Sequence, residues 1–152
     1  MSEPTAPSES SASTEPVASP EPASSLPDSS RTGPGRLLVA VYALFALAAS
    51  ARAGVQIATK FHEAPVAYLL SALAAVIYIV ATVALARSDR RLATACCSIE
   101  LLGVLTVGTV SLLDRAAFPD ATVWSGYGAG YGFVPLVLPV LGLWWLRRTR
   151  RA

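Results

Sequence analysis

Two stretches of this chain, residues 64–86 and 121–146, contain no Asp, Glu, Lys or Arg. Each exceeds the roughly 20 residues that an α-helix needs to cross a hydrocarbon core about 30 Å thick. Residues 37–58 and 92–113 are equally long and apolar, and one ion interrupts each of them, Arg52 and Glu100 respectively. The sequence therefore predicts an all-α membrane protein with four spans, at about 37–58, 65–86, 92–113 and 127–146. A transmembrane β-barrel requires apolar and polar residues to alternate in segments of about ten, and the run Ala67–Ala86 shows no such alternation. A composition that is 53% hydrophobic and 14% charged is too apolar for an ordinary soluble domain.

The charge is unevenly divided. Residues 1–35 hold Glu3, Glu9, Glu15, Glu21 and Asp28 against Arg31 alone, together with most of the prolines and ten serines. Such a stretch cannot bury enough apolar surface to offset its ordering entropy, so 1–35 is expected to be a disordered cytoplasmic tail. The rest is basic. Arg31 and Arg36 precede the first span, Arg87, Arg90 and Arg91 lie between the second and third, and Arg147, Arg148, Arg150 and Arg151 follow the fourth; the other two connections carry only Lys60 and Arg115. Lys and Arg near span ends are retained in the cytoplasm. Both termini are thus expected there, with residues 149–152 as a basic end. Short connections make neighbouring spans antiparallel, so the expected fold of 36–148 is an antiparallel four-helix transmembrane bundle. A rival reading treats Arg36, the apolar run 37–48 and Ala49-Ser50-Ala51 as a displaced, cleavable leader. Val55 and Ile57 carry the apolar segment past that cut and favour an intact first span.

Membrane helices associate by close approach, which small residues spaced four apart permit. Ala46, Ser50 and Gly54 in the first span and Ala67, Ser71 and Ala75 in the second have that spacing. They are candidate packing positions, either within the bundle, which the alanine-rich composition favours, or in a homo-oligomer.

Ions inside a membrane need partners. Arg52 lies about fifteen residues into span one, roughly 22 Å from its cytoplasmic start, with Gln56 one turn further on the same face. Glu100 lies roughly 12 Å into span three, level with Tyr78 of span two. These four residues form a candidate polar cluster, in which the Tyr78 hydroxyl donates to the Glu100 carboxylate. An Arg52–Glu100 ion pair would require the arginine to close a height difference of about 10 Å. A structural fastener is the expected role, and a proton or ion pathway through Arg52 and Glu100 is the alternative.

The segment Trp124–Phe133 contains Gly-Tyr-Gly twice. It invites comparison with a potassium-channel filter and departs from one, because no pore helix precedes it. Alternate glycines permit irregular backbone at the start of span four, and Trp124, Tyr127 and Tyr131 suit an outer interface. Pro135 and Pro139 each remove a helical hydrogen bond, which predicts a kink. At the other end, Trp144, Trp145, Arg147, Arg148, Arg150 and Arg151 are candidate anchors to anionic lipid.

Chemistry-bearing patterns are sparse. His62 has no second ligand at metal spacing, and Cys96-Cys97 lacks a CxxC arrangement. No phosphate loop or nucleophile elbow occurs, so an enzyme, a cofactor, a metal site and a nucleic-acid partner are not expected. Through Ala51–Phe61, Ser111–Asp114, Thr122–Ser125 and Val134–Leu143, the chain resembles a group of small four-span integral membrane proteins of actinobacteria without an assigned function. The likeness covers about 36–148. It implies a multi-pass protein of the bacterial cytoplasmic membrane and brings no activity or site residue with it. The expected role is non-enzymatic, through contacts with membrane lipid, with another copy or with another membrane protein; a small transporter or channel component is the alternative.

Overall fold

The structure is a computed structural model, and it describes residues 33–149. The predicted tail lies outside the described residues apart from its last three positions, as do Arg150 and Arg151. The described residues form four α-helices, α1 (Pro34–Lys60), α2 (Pro65–Ala86), α3 (Arg90–Leu113) and α4 (Val134–Arg148), with a 3-10 segment over Ser125–Tyr131 ahead of α4. No strand occurs among them. Three helices are long and apolar enough to cross a membrane, and a fourth crossing results if the 3-10 segment and α4 count as one bent span.

Local chemistry sets the boundaries. Pro34 and Pro65 start α1 and α2 at positions where a missing N–H costs nothing. Asp89 caps α3, its carboxylate accepting from the Leu92 amide at 3.1 Å. The turn between α2 and α3 passes through Ser88 with φ 58°, and α3 begins two residues earlier than the sequence suggests.

The sorting of side chains is the reverse of a soluble protein's. α2 buries Ala67, Ser71, Ala74, Ala75, Ala81 and Ala84 and exposes Leu69, Leu73, Val76 and Ile79. Small residues inward let helix backbones approach, and large aliphatic residues outward are stable only where the surroundings are themselves apolar. α1 and α2 meet most extensively, and of the helix pairs whose backbones meet, α1 and α4 do so least. Of the candidate packing positions, Ala46, Ala67, Ser71 and Ala75 are buried. Ser50 is half-buried and Gly54 faces outward, where an added Cβ would meet nothing within 4 Å. The buried face of α1 runs instead through Leu38, Tyr42, Ala46, Ala49 and Ala53.

The fourth span differs most from expectation. The helix is Val134–Arg148 rather than 127–146, and its 15 residues reach only about 22 Å. The chain turns by 100° ahead of it. The prolines do not make that turn. Pro135 sits in the first helical turn, where no hydrogen bond is lost, so only Pro139 interrupts the ladder. The turn comes from left-handed backbone at Gly132 (φ 63°) and Phe133 (φ 60°), with Gly126, Tyr127 and Gly128 also left-handed within the 3-10 segment. That segment lies across α3. The Gly126 amide donates to Ser111 Oγ at 2.9 Å, Tyr127 Oη is 3.0 Å from Thr109 Oγ1, and Gly108 leaves room for the Tyr127 ring.

Candidate functional site

Glu100 is fully buried and lies on the inward face of α3. Its Oε2 accepts from the Tyr42 hydroxyl of α1 at 2.8 Å, and the same hydroxyl is 3.3 Å from Cys97 Sγ, one turn earlier on α3. Tyr42, Tyr78 and Cys97 are also at 0% exposure. The Glu100 Oε1 atom has no hydrogen-bond partner among the described residues. α4 closes the set from the remaining side through Gly142. A Cβ there would lie 2.9 Å from Cys97 Sγ and 3.6 Å from Tyr42 Oη, so glycine is what lets α4 cover these groups.

Tyr78 stands beside the same carboxylate, and its hydroxyl oxygen also serves a second partner. It accepts from the Trp124 indole N–H at 3.2 Å. The donor to Glu100 by full hydrogen-bond geometry is Tyr42, which the sequence reading did not single out; Tyr78 lies beside the carboxylate with its O–H still free to donate. A signal was present. Tyr42 is a lone hydroxyl-bearing ring in an aliphatic stretch of α1, and a buried tyrosine hydroxyl needs a partner. Trp124 also departs from expectation, being buried in the bundle rather than placed in an interfacial belt. Its ring lies against Gly103, where a Cβ would come within 2.7 Å of Cζ3.

Arg52 belongs to a second set. Its guanidinium donates to the Ala121 carbonyl at 2.9 Å and to the Tyr131 hydroxyl at 3.0 Å, with the Tyr131 ring centroid 5.9 Å away. An outward-curling arginine would work against the direction in which helical side chains point. Here the loop before the 3-10 segment brings its carbonyl to the side chain. Arg52 Nε and Gln56 Oε1 are buried without partners among the described residues. Tyr68 of α2 and Asp120 of the same loop add a hydrogen bond of 2.5 Å nearby.

The predicted cluster of Arg52, Gln56, Tyr78 and Glu100 is thus divided into two pairs. Arg52 and Glu100 make no ion pair; among the described residues the one salt bridge is Lys60–Glu63, on the surface at 3.9 Å. Rings occupy the space between the pairs. Tyr42 and Tyr78 have centroids 6.2 Å apart, Tyr78 and Phe45 5.9 Å, and Phe45 and Tyr131 6.1 Å. The helix termini with most of the arginines hold Trp144, which is exposed, with Arg148 stacked 5.3 Å from its ring, and Trp145, half-buried against Gly35. Compared with protein-family models, with curated proteins and with solved structures, the chain finds no match.

Proposed function

We propose that this chain is a non-enzymatic multi-pass protein of the bacterial cytoplasmic membrane, an antiparallel four-helix bundle with both termini in the cytoplasm. It acts through its surfaces, on anionic lipid at the arginine-bearing helix ends and on other membrane proteins along its aliphatic faces. Arg52, Gln56, Tyr42, Tyr78 and Glu100 fasten the helices in register. The observation that carries this reading is the Phe45 ring, which packs between Tyr78 of the Glu100 set and Tyr131 of the Arg52 set and offers no polar group to join them. A conduit needs polar groups in series, and this ring interrupts the series.

A second reading, a small transporter component, is favoured by one observation, the buried and unpartnered Oε1 of Glu100. The two readings separate in sealed proteoliposomes under an imposed potential. Vesicles containing the full chain are expected to leak protons and monovalent ions no faster than empty ones. Flux above the empty-vesicle rate that disappears in Glu100→Gln would establish the transporter instead. Orientation is tested with a reporter on Ala152, active on the cytoplasmic side under this proposal; activity on the opposite side overturns it.

A further inference from the structure

α1 and α4 touch at two points and part between them. At one, the Trp145 ring lies against Gly35; at the other, Gly142 faces Tyr42. An outward-facing groove of about 190 Å³ opens there, lined by Pro34, Leu37, Leu38 and Val41 of α1 and Leu141, Trp144 and Trp145 of α4. It follows α1 for about 10 Å, a large part of the depth of one leaflet. Leu37, Leu141 and Trp144 on its rim are exposed.

Charge lies at one end of this groove. The Arg148 guanidinium is stacked over the Trp144 ring, which is part of the wall, whereas Arg36 projects from the face of α1 opposite the lining residues. Neither forms a salt bridge among the described residues. Among the described residues the acid near this end, Asp89, is engaged as the cap of α3. An apolar slot lying along the bilayer normal, with a cation at headgroup level that no acid among the described residues pairs, matches one kind of molecule. We propose that the α1–α4 groove is a binding site for an anionic phospholipid, with one acyl chain lying between Leu37, Val41 and Leu141 and the phosphate held by Arg148.

The proposal rests on the lipid-embedded reading above, and one experiment separates the two. The full chain carrying Leu37→p-benzoyl-phenylalanine is reconstituted in vesicles of equal parts phosphatidylglycerol and phosphatidylcholine, irradiated, and its adducts are identified by mass spectrometry. The expected adduct is phospholipid, with phosphatidylglycerol favoured about fivefold, since a basic residue near an anionic headgroup contributes several-fold. In the Arg148→Gln background the preference falls towards unity, while Arg36→Gln, on the opposite face of α1, and Arg115→Gln, in the connection that follows α3, leave it intact. Equal labelling of the two lipids overturns the site and leaves the embedded bundle standing. An adduct with a peptide from residues 1–32, or with a second copy of the chain, overturns it in favour of that occupant. A chain that fails to enter vesicles at all removes both proposals.

Discussion

The two ions within the helices are accommodated in opposite ways. Glu100 is sealed at the centre, with a side-chain donor from α1 and one oxygen left over. Arg52 lies near the far end of α1, and its partners, the Ala121 carbonyl and Tyr131, come from the connection before α4 and the 3-10 segment. The difference follows from reach and chemistry. A long guanidinium with several donors can be served by backbone carbonyls at a helix-end loop, whereas a short carboxylate must be met by a hydroxyl on a neighbouring helix. The buried polar pair locks helix to helix, and the rim arginine locks helix to loop.

Trp124 backs the Glu100 set through Tyr78 and Gly103, and its removal is the largest single loss expected. Trp124→Ala deletes the ring packed on Gly103 and leaves Tyr78 without its donor, with an expected loss of about 3–5 kcal/mol in reversible unfolding from mixed micelles. Tyr42→Phe breaks only the Glu100 side. It should cost about 1–3 kcal/mol, because a buried acceptor loses its partner. The double change Tyr42→Phe/Glu100→Leu should recover most of that loss, since an apolar pair leaves nothing unsatisfied. If the double variant is worse than Tyr42→Phe alone, the polar pair is more than a fastener.

Arg52→Met probes the other side and should cost about 1 kcal/mol, less than Tyr42→Phe, because Ala121 is exposed and its carbonyl can turn to water or headgroups. Limited proteolysis should then cut near Asp120 faster while the Glu100 region keeps its protection. Gly54→Ala, on the same helix as Arg52 but pointing into open space, should change stability by no more than about 0.5 kcal/mol and leave the oligomeric state as it was. A change in oligomer would show that the outward half of the small-residue stripe is an interface.

Much of the helical plan was legible because hydropathy acts over whole turns. The second span, 65–86, coincides with α2, and the burial of Glu100 follows from its depth in an aliphatic run. What escaped the sequence depends on lateral position, which length and charge do not encode. Choosing Tyr42 over Tyr78 as the donor required knowing which face of α1 meets α3. The irregular entry to the fourth span was legible in its alternate glycines, whereas the shortness of α4 was not, because residues 121–146 are apolar throughout and the left-handed turn at Gly132-Phe133 leaves no mark in hydropathy. Trp124 has the same origin: a tryptophan near a predicted boundary suits an interface or an interior equally, and Gly103 on another helix decides between them.

The independence of the two ions is open to a direct measurement, a double-mutant cycle between Arg52→Met and Glu100→Gln read by reversible unfolding in lipid-detergent micelles. With separate partners and the Phe45 ring between the two sets, the two losses should add to within about 0.3–0.5 kcal/mol. An interaction energy of about 1 kcal/mol or more would mean that the arginine and the glutamate sense each other, and that the interior is one connected polar system rather than two fasteners.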